Sequence, residues 1–292
     1  MDKQELISAL IYDVALEHSA IIQYLYHIFL IPDPEIVSEI EEIARQEMRH
    51  LKWFGQKIVQ LGGRVNLDRA EDMISIGNSV AEMLQNNVFA ERKAIEVYSS
   101  HLELAKDDSV KRLLERVIND EKEHAEEFEK MLSSAKENPP QMEGSPAADE
   151  STIKILNEFL KEEYQLIINY LYQFFHAKNW EYRDIVMDLA IESMVHMGKI
   201  GEAIGEMGQM PDLSRIDFSE QKSSSLAEQV KKDLSMETLS KDRYSKELLQ
   251  NHQESVRKIL DFINKQEDYH RHRLMEFFKR MHRFTIGELN DG

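Results

Sequence analysis

The sequence predicts an all-α protein built as two tandem four-helix bundles, each with a long crossover between its second and third helices. Three observations predict it. The 292 residues include only 11 Gly and 6 Pro, which argues for few turns and long helices. Apolar residues recur at helical spacing over stretches of about 30 residues, some 40 Å at a rise of 1.5 Å per residue. The chain also repeats itself without a gap at an offset of 146, half of 292. Tyr24, Leu25 and Tyr26 recur as Tyr170, Leu171 and Tyr172; Ser79, Ala81 and Glu82 as Ser225, Ala227 and Glu228; Tyr98, Ser99 and Leu102 as Tyr244, Ser245 and Leu248. Val110 and Leu114 recur as Val256 and Leu260.

The first helix is expected over 4–30, where Leu6, Leu10, Val14, Glu17, Ile21, Tyr24 and Ile28 share a face. Pro32 stops it. Asp33-Pro34 opens the second helix as N-cap and first-turn proline, and Gly62-Gly63 closes it. The crossover GRVNLDRAEDMISIGN leads to a third helix from near Ser79 to about Lys106. The polar turn DDS opens the fourth, which runs to about Ala135. Bundle 1 is thus expected over 1–135 and bundle 2 over 151–292. Residues 136–150, rich in Pro, Gly, Ser and small residues, read as the linker.

A hydrophobic fraction of 42% supplies real cores, and a charged fraction of 31% keeps the chain soluble. The net charge of −18 lacks the basic face that nucleic-acid binding needs, and suits an acidic field that attracts metal cations. Acidic residues interrupt the apolar pattern of the N-terminus, so no secretory signal is expected. No uncharged apolar run of about 18 residues suggests a membrane span. With 0 Cys there is no disulfide, thiolate metal site or thiol nucleophile, which fits a cytoplasmic protein.

The chemistry lies in acidic and histidine residues at matched spacing. Helix one carries Glu17 on its apolar stripe; helix two carries Glu47 and His50; helix three Glu91; helix four Glu121 and His124. Glu17 to Glu47 and Glu91 to Glu121 are both separations of 30. A Glu and a His at i and i+3 share a helix face and can reach one ion. Four carboxylates in a bundle core cost many kcal/mol of desolvation and repulsion unless two divalent cations cancel their charge. Oxygen and imidazole donors without sulfur suit iron, manganese or zinc. One Glu from each of two helices plus Glu-x-x-His from each of the others is the known pattern of di-iron and di-manganese carboxylate proteins, so the assignment matches a pattern rather than deriving one.

QEMRH followed by QLGG, then AERKAIEVY, then NDEKEHAEEFEKML, resemble the second, third and fourth helices of bacterioferritins. The first repeat resembles a bacterioferritin- or rubrerythrin-type ferritin-like domain over nearly its whole length. The resemblance implies that Glu47 and Glu121 bridge two metals. It makes Glu17 with His50, and Glu91 with His124, the terminal ligands. It implies oxidation of a di-ferrous centre by dioxygen or hydrogen peroxide, with an oxygenase or a manganese catalase, or a non-enzymatic metal- or haem-binding protein, as alternatives. No rubredoxin module is expected in this sequence, since that needs cysteines and there are 0 Cys. Family cages also need a short fifth helix. Here the first bundle runs into the linker and only RFTIGELNDG follows His282, so storage in a large cage is not expected. Near the ligands, Tyr24 and Tyr98 are placed to hydrogen-bond one or to fill the core, and Asp120 to orient His50. His18, His27 and His101 have no His at +146 and read as surface or rim residues.

In the second copy the ligand positions become Glu163, Ser193, His196, Glu237, Glu267 and His270. Ser193 replaces the expected bridge Glu47, and Glu192 stands one residue earlier, at i and i+4 with His196. A small helix rotation or a π-bulge could aim Glu192 inward, making it a twelfth candidate ligand and the second site an altered one. Met48 and Met194 also correspond. In bacterioferritins a Met at this place ligates haem between subunits, so the two bundles could form a pseudo-dimer around one haem. The stripe Met187, Ala190, Met194, Met197 and Gly201 serves equally as apolar packing between the bundles. A homo-oligomer is compatible with this reading.

Overall fold

The computed structural model describes residues 1–137, 149–214, 223–250 and 253–290, of which 282–290 are described by backbone alone. Among the described residues the elements are helical throughout: α1 (Lys3–Leu30), α2 (Pro34–Gln60), α3 (Val80–Leu104), α4 (Asp108–Glu137), α5 (Glu150–His176), α6 (Trp180–Glu206), α7 (Leu226–Leu248) and α8 (Glu254–Asn290). None of these helices is long and apolar enough to cross a membrane. Most of the expected linker, 138–148, lies outside the described residues.

Local chemistry explains each boundary. Asp2 caps α1 through a capping box: its Oδ1 accepts from Gln4 N and Glu5 N, and Glu5 Oε2 accepts from Asp2 N at 2.7 Å. Asp33 accepts from Glu35 N and Ile36 N, with Pro34 in the first turn. Ser79 and its repeat Ser225 cap α3 and α7 identically, each accepting from the backbone N–H three residues on at 3.2 Å. Gly62 and its repeat Gly208 have φ of 79° and 69° and turn the chain out of α2 and α6.

The chain divides into two units by contact, 1–147 with 204–215, and 148–203 with 216–292. In the first, α1 packs on α2 and α3 on α4, around a core that includes Leu10, Val14, Ile40, Phe54, Val110 and Phe128. The α2–α3 crossover carries a 3-10 turn at Glu71–Met73. Polar residues of α1 hold it. Ser19 Oγ accepts from Ala70 N at 2.8 Å, Gln23 Oε1 accepts from Ser75 N at 2.8 Å, and His18 Nδ1 lies 3.0 Å from Leu67 O. This corrects the expectation that His18 and His27 lie at the surface. His18 is buried under the crossover, and His27 is fully buried with its Nδ1 2.8 Å from Asn87 Oδ1. In the second unit α7 packs on α8, over Phe159, Tyr170, Tyr244, Leu260 and Phe277. The segment after His282 continues α8 to Asn290.

Candidate metal centre

The first bundle gathers the six expected side chains in its core. Glu17, Glu47, His50, Glu91, Glu121 and His124 are each no more than 2% exposed. They form two overlapping groups, Glu17–Glu47–His50–Glu121 and Glu47–Glu91–Glu121–His124, whose donor atoms lie within 4.8 Å of one another. Glu47 and Glu121 belong to both groups. His50 Nδ1 is 3.1 Å from Glu121 Oε1, 3.4 Å from Glu47 Oε2 and 3.7 Å from Glu17 Oε2. His124 Nδ1 is 2.8 Å from Glu47 Oε1, 3.0 Å from Glu121 Oε2 and 3.9 Å from Glu91 Oε2. The i, i+3 spacing on α2 and α4 puts each Glu beneath its own His.

Neighbouring groups fix these side chains. Asp120 Oδ2 lies 3.2 Å from His50 Nε2, which leaves Nδ1 facing the carboxylates. The tyrosines cross over. Tyr98 Oη donates to Glu17 at 2.7 Å, and Tyr24 Oη donates to Glu91. Each phenol therefore serves the carboxylate of the other helix, where sequence spacing places it above the carboxylate of its own.

The electrostatics follow from burial. Burial, then the charges of Glu121 and Glu47, push Glu17 well above the usual carboxylate range. Burial, Glu47 and Glu121 do the same to Glu91. Burial also opposes ionisation of Glu47, but hydrogen bonds with His124, His50 and Glu17 outweigh it and hold that group low. Burial pulls His124 down, yet its bonds to Glu121 and Glu47 carry it up to about 10. Protons thus do the charge cancellation that cations would do.

A divalent cation fits this donor set. Glu47 Oε1 and Glu121 Oε1 are buried and have no partner apart from the facing imidazole nitrogens. Buried acceptors without donors are costly in a core, and a cation preferring oxygen and imidazole would satisfy them. A cavity of about 20 Å³ lies beside Glu17, Glu47, Glu91 and Tyr98, room for about one water-sized molecule.

The second bundle repeats the geometry with one gap. Glu163, His196, Glu237, Glu267 and His270 are buried, and Ser193 occupies the bridge position with its Oγ unpartnered. Two three-residue groups, Glu163–His196–Glu267 and Glu237–Glu267–His270, share Glu267 alone. Tyr244 donates to Glu163 at 2.7 Å and Tyr170 to Glu237, the same crossing. Gln266 Oε1 lies 3.1 Å from His196 Nε2 and takes the part of Asp120, a role its position at +146 already signals. Both oxygens of Glu267, Glu163 Oε2, His196 Nδ1 and His270 Nε2 make no hydrogen bond. The helix α6 is α-helical throughout, with no π-bulge at Glu192. Glu192 still forms a group with His196 and His270 within 4.8 Å, and with His270, Tyr269 and Arg273 lines a cavity of about 100 Å³. Met48 and Met194, the expected haem positions, are half-buried.

One aromatic–cation pair beside each centre escapes sequence reading. In the first bundle the Arg116 guanidinium sits 4.2 Å from the Trp53 ring centre, and Trp53 is 5.6 Å from His50. In the second, at the same two positions, Lys199 lies 5.0 Å from Phe262, which is 6.3 Å from His196. Ring and cation have exchanged helices.

Comparison with known proteins finds the ferritin-like domain twice, over residues 7–137 and 153–284. A bacterioferritin of Desulfovibrio desulfuricans is 30% identical over 128 residues, covering 42% of this chain and 71% of that protein. The X-ray structure of the Desulfovibrio desulfuricans bacterioferritin, described as showing its diiron site in different catalytic states, is 30% identical, covers 47% of this chain and 82% of that one, and has a TM-score of 0.45.

Proposed function

The chain belongs to the ferritin-like domain family, and from that premise we propose that its first bundle is a non-haem di-metal carboxylate centre of iron or manganese. The centre couples oxidation of ferrous iron, or of another reductant, to dioxygen or hydrogen peroxide. One observation carries the reading: two four-residue donor groups overlap in Glu47 and Glu121 and in nothing else. In this reading Glu47 and Glu121 would be shared by the two ions, Glu17 and His50 would hold one of them, and Glu91 and His124 the other. When bound, the metal pair supplies the electrons and Lewis acidity for reducing the oxidant. The protein's part is positional. Asp120 keeps His50 Nδ1 directed at the carboxylates, and Tyr98 and Tyr24 hold one oxygen each of Glu17 and Glu91. The buried walls exclude bulk water.

The cavity of about 20 Å³ beside Glu17, Glu47 and Glu91 supports a small oxidant over an organic substrate, which an oxygenase would have to admit. The second bundle is read as an altered metal site of Glu163, His196, Glu237, Glu267 and His270, with Glu192 as an added ligand from the cavity side. With Ser193 at the place of Glu47, only Glu267 is common to its two core donor groups, which weakens the site for a second ion.

Glu47→Ala tests the reading. It is expected to lower the iron bound per chain and to reduce ferrous oxidation by about 100-fold or more, since it removes a group shared by both ions. Unchanged iron content and unchanged oxidation in this variant would refute the assignment.

A further inference from the structure

Among the described residues the second bundle gathers a donor group with no counterpart in the first. Glu192, His196 and His270 bring donor atoms within 4.8 Å of one another. Glu192 precedes His196 by four residues on α6, so the two share a face, and His270 reaches them from α8. The first bundle has Gln46 and Glu47 where the second has Glu192 and Ser193. The carboxylate has thus moved one residue along the helix, from a buried place to a half-buried one. Both imidazoles keep a nitrogen for a cation. Gln266 Oε1 accepts from His196 Nε2 at 3.1 Å, which in the neutral ring leaves the Nδ1 lone pair. His270 is 1% exposed, and its Nε2 makes no hydrogen bond, a costly state in a core.

This group opens on the α6–α8 side. Glu192 and His270 line a cavity of about 100 Å³, whose other walls include Ile185, Leu189, Tyr269 and Arg273. The first centre's cavity, of about 20 Å³, lies instead against α1 and α3, at Leu16, Ala20, Ala90 and Ala94. The charge of the α6–α8 side has changed too. Where the second copy has Ile185, Tyr269 and Arg273, the first has Glu39, Glu123 and Glu127, all exposed carboxylates. Three acids have become an aliphatic wall, a phenol and a guanidinium. Arg273 donates to Tyr269 Oη at 2.7 Å and to Asp188 Oδ2 at 3.1 Å, and a guanidinium has further N–H donors to give.

We propose that Glu192, His196 and His270 hold a single divalent cation in the second bundle, and that this ion and Arg273 bind a small anion in the adjoining cavity. The inference rests on the reading of the second bundle as an altered metal site, and gives that site its stoichiometry and its ligand class. Two imidazoles and one carboxylate form a donor set that leaves coordination positions open. The inner side is taken: His196 Nδ1 is 3.3 Å from Glu163 Oε1, and His270 Nδ1 is 3.2 Å from Glu237 Oε2. Open positions therefore look toward the cavity. A divalent ion and a guanidinium both favour negative charge there, and Ile185 and Leu189 suit a ligand with little hydration of its own.

The test loads the full chain with cobalt(II), counts the metal, and follows its visible spectrum as azide is added. Three ions per chain are expected, two in the first bundle and one in the second. Glu192→Gln installs the first copy's residue at a half-buried place, so the fold tolerates it. It is expected to lose one ion, and the azide response with it. Arg273→Met is expected to keep all three ions and to raise the azide concentration at half-effect about ten-fold or more. His270→Ala separates the failures. If it loses an ion and Glu192→Gln does not, the inner carboxylates hold the metal: the altered site stands and the Glu192 set falls. If neither variant loses an ion, the second bundle holds no metal, and the altered site falls with the Glu192 set. Four ions in the wild type overturn the single cation. An azide response that survives Glu192→Gln, or that Arg273→Met leaves unmoved, overturns the anion site.

Discussion

At position 27 the first repeat has histidine where the second has Gln173, and burial there pushes the imidazole down to about 4. The folded state therefore holds His27 neutral, while the unfolded chain takes up a proton near pH 6.5. Stability is full above that pH and falls as pH drops from 6.5 towards 4, by about 3 kcal/mol when complete. His27→Gln is expected to flatten this dependence in urea melts of the metal-free protein at pH 7.5 and pH 5. An unchanged slope would refute the assignment. The six donors of the first bundle were legible because residue type and helical period fix them together. The buried His18 and His27 were not, because their partners lie in the crossover and on α3, to which the spacing along one helix gives no access. The crossed tyrosine bonds escaped for the same reason.

Helix ends were the most readable elements, since capping chemistry is local. Asp33-Pro34 and Ser79 sit where caps were expected, and the repeats at Ser225 and Gly208 use the same devices. Gly62→Ala places a side chain at φ 79° and is expected to cost about 1 kcal/mol, measured by thermal unfolding. A neutral effect would mean that the α2 terminus relaxes freely. The exchanged pairs Trp53–Arg116 and Lys199–Phe262 show what repeat alignment misses. Position by position the residues disagree, yet each pair puts a ring beside the helix-two histidine and a cation over the ring. Such contacts are worth roughly 0.5–1 kcal/mol and tie the second helix of each bundle to the fourth.

Across the whole molecule, a gapless duplication at half the length made the tandem architecture readable, and the comparisons find the same domain in both halves. The contact units add what the repeat does not announce: residues 204–215, from the second repeat, group with the first unit. Within it, Leu213 N donates to Tyr26 Oη at 3.1 Å and Leu213 O accepts from Arg69 at 2.7 Å. Sequence periodicity carries no information about such a crossing. The two candidate donor sets differ at one position, Glu47 in one copy and Ser193 in the other, and the proposed reading makes the two centres unequal. Anomalous diffraction from crystals of the full chain loaded with manganese or iron tests this most directly. The account predicts two peaks in the first bundle, about 3.5–4 Å apart, both flanked by Glu47 and Glu121, with a weaker or different pattern beside Ser193. A single peak between Glu47 and Glu121, or none, would contradict it.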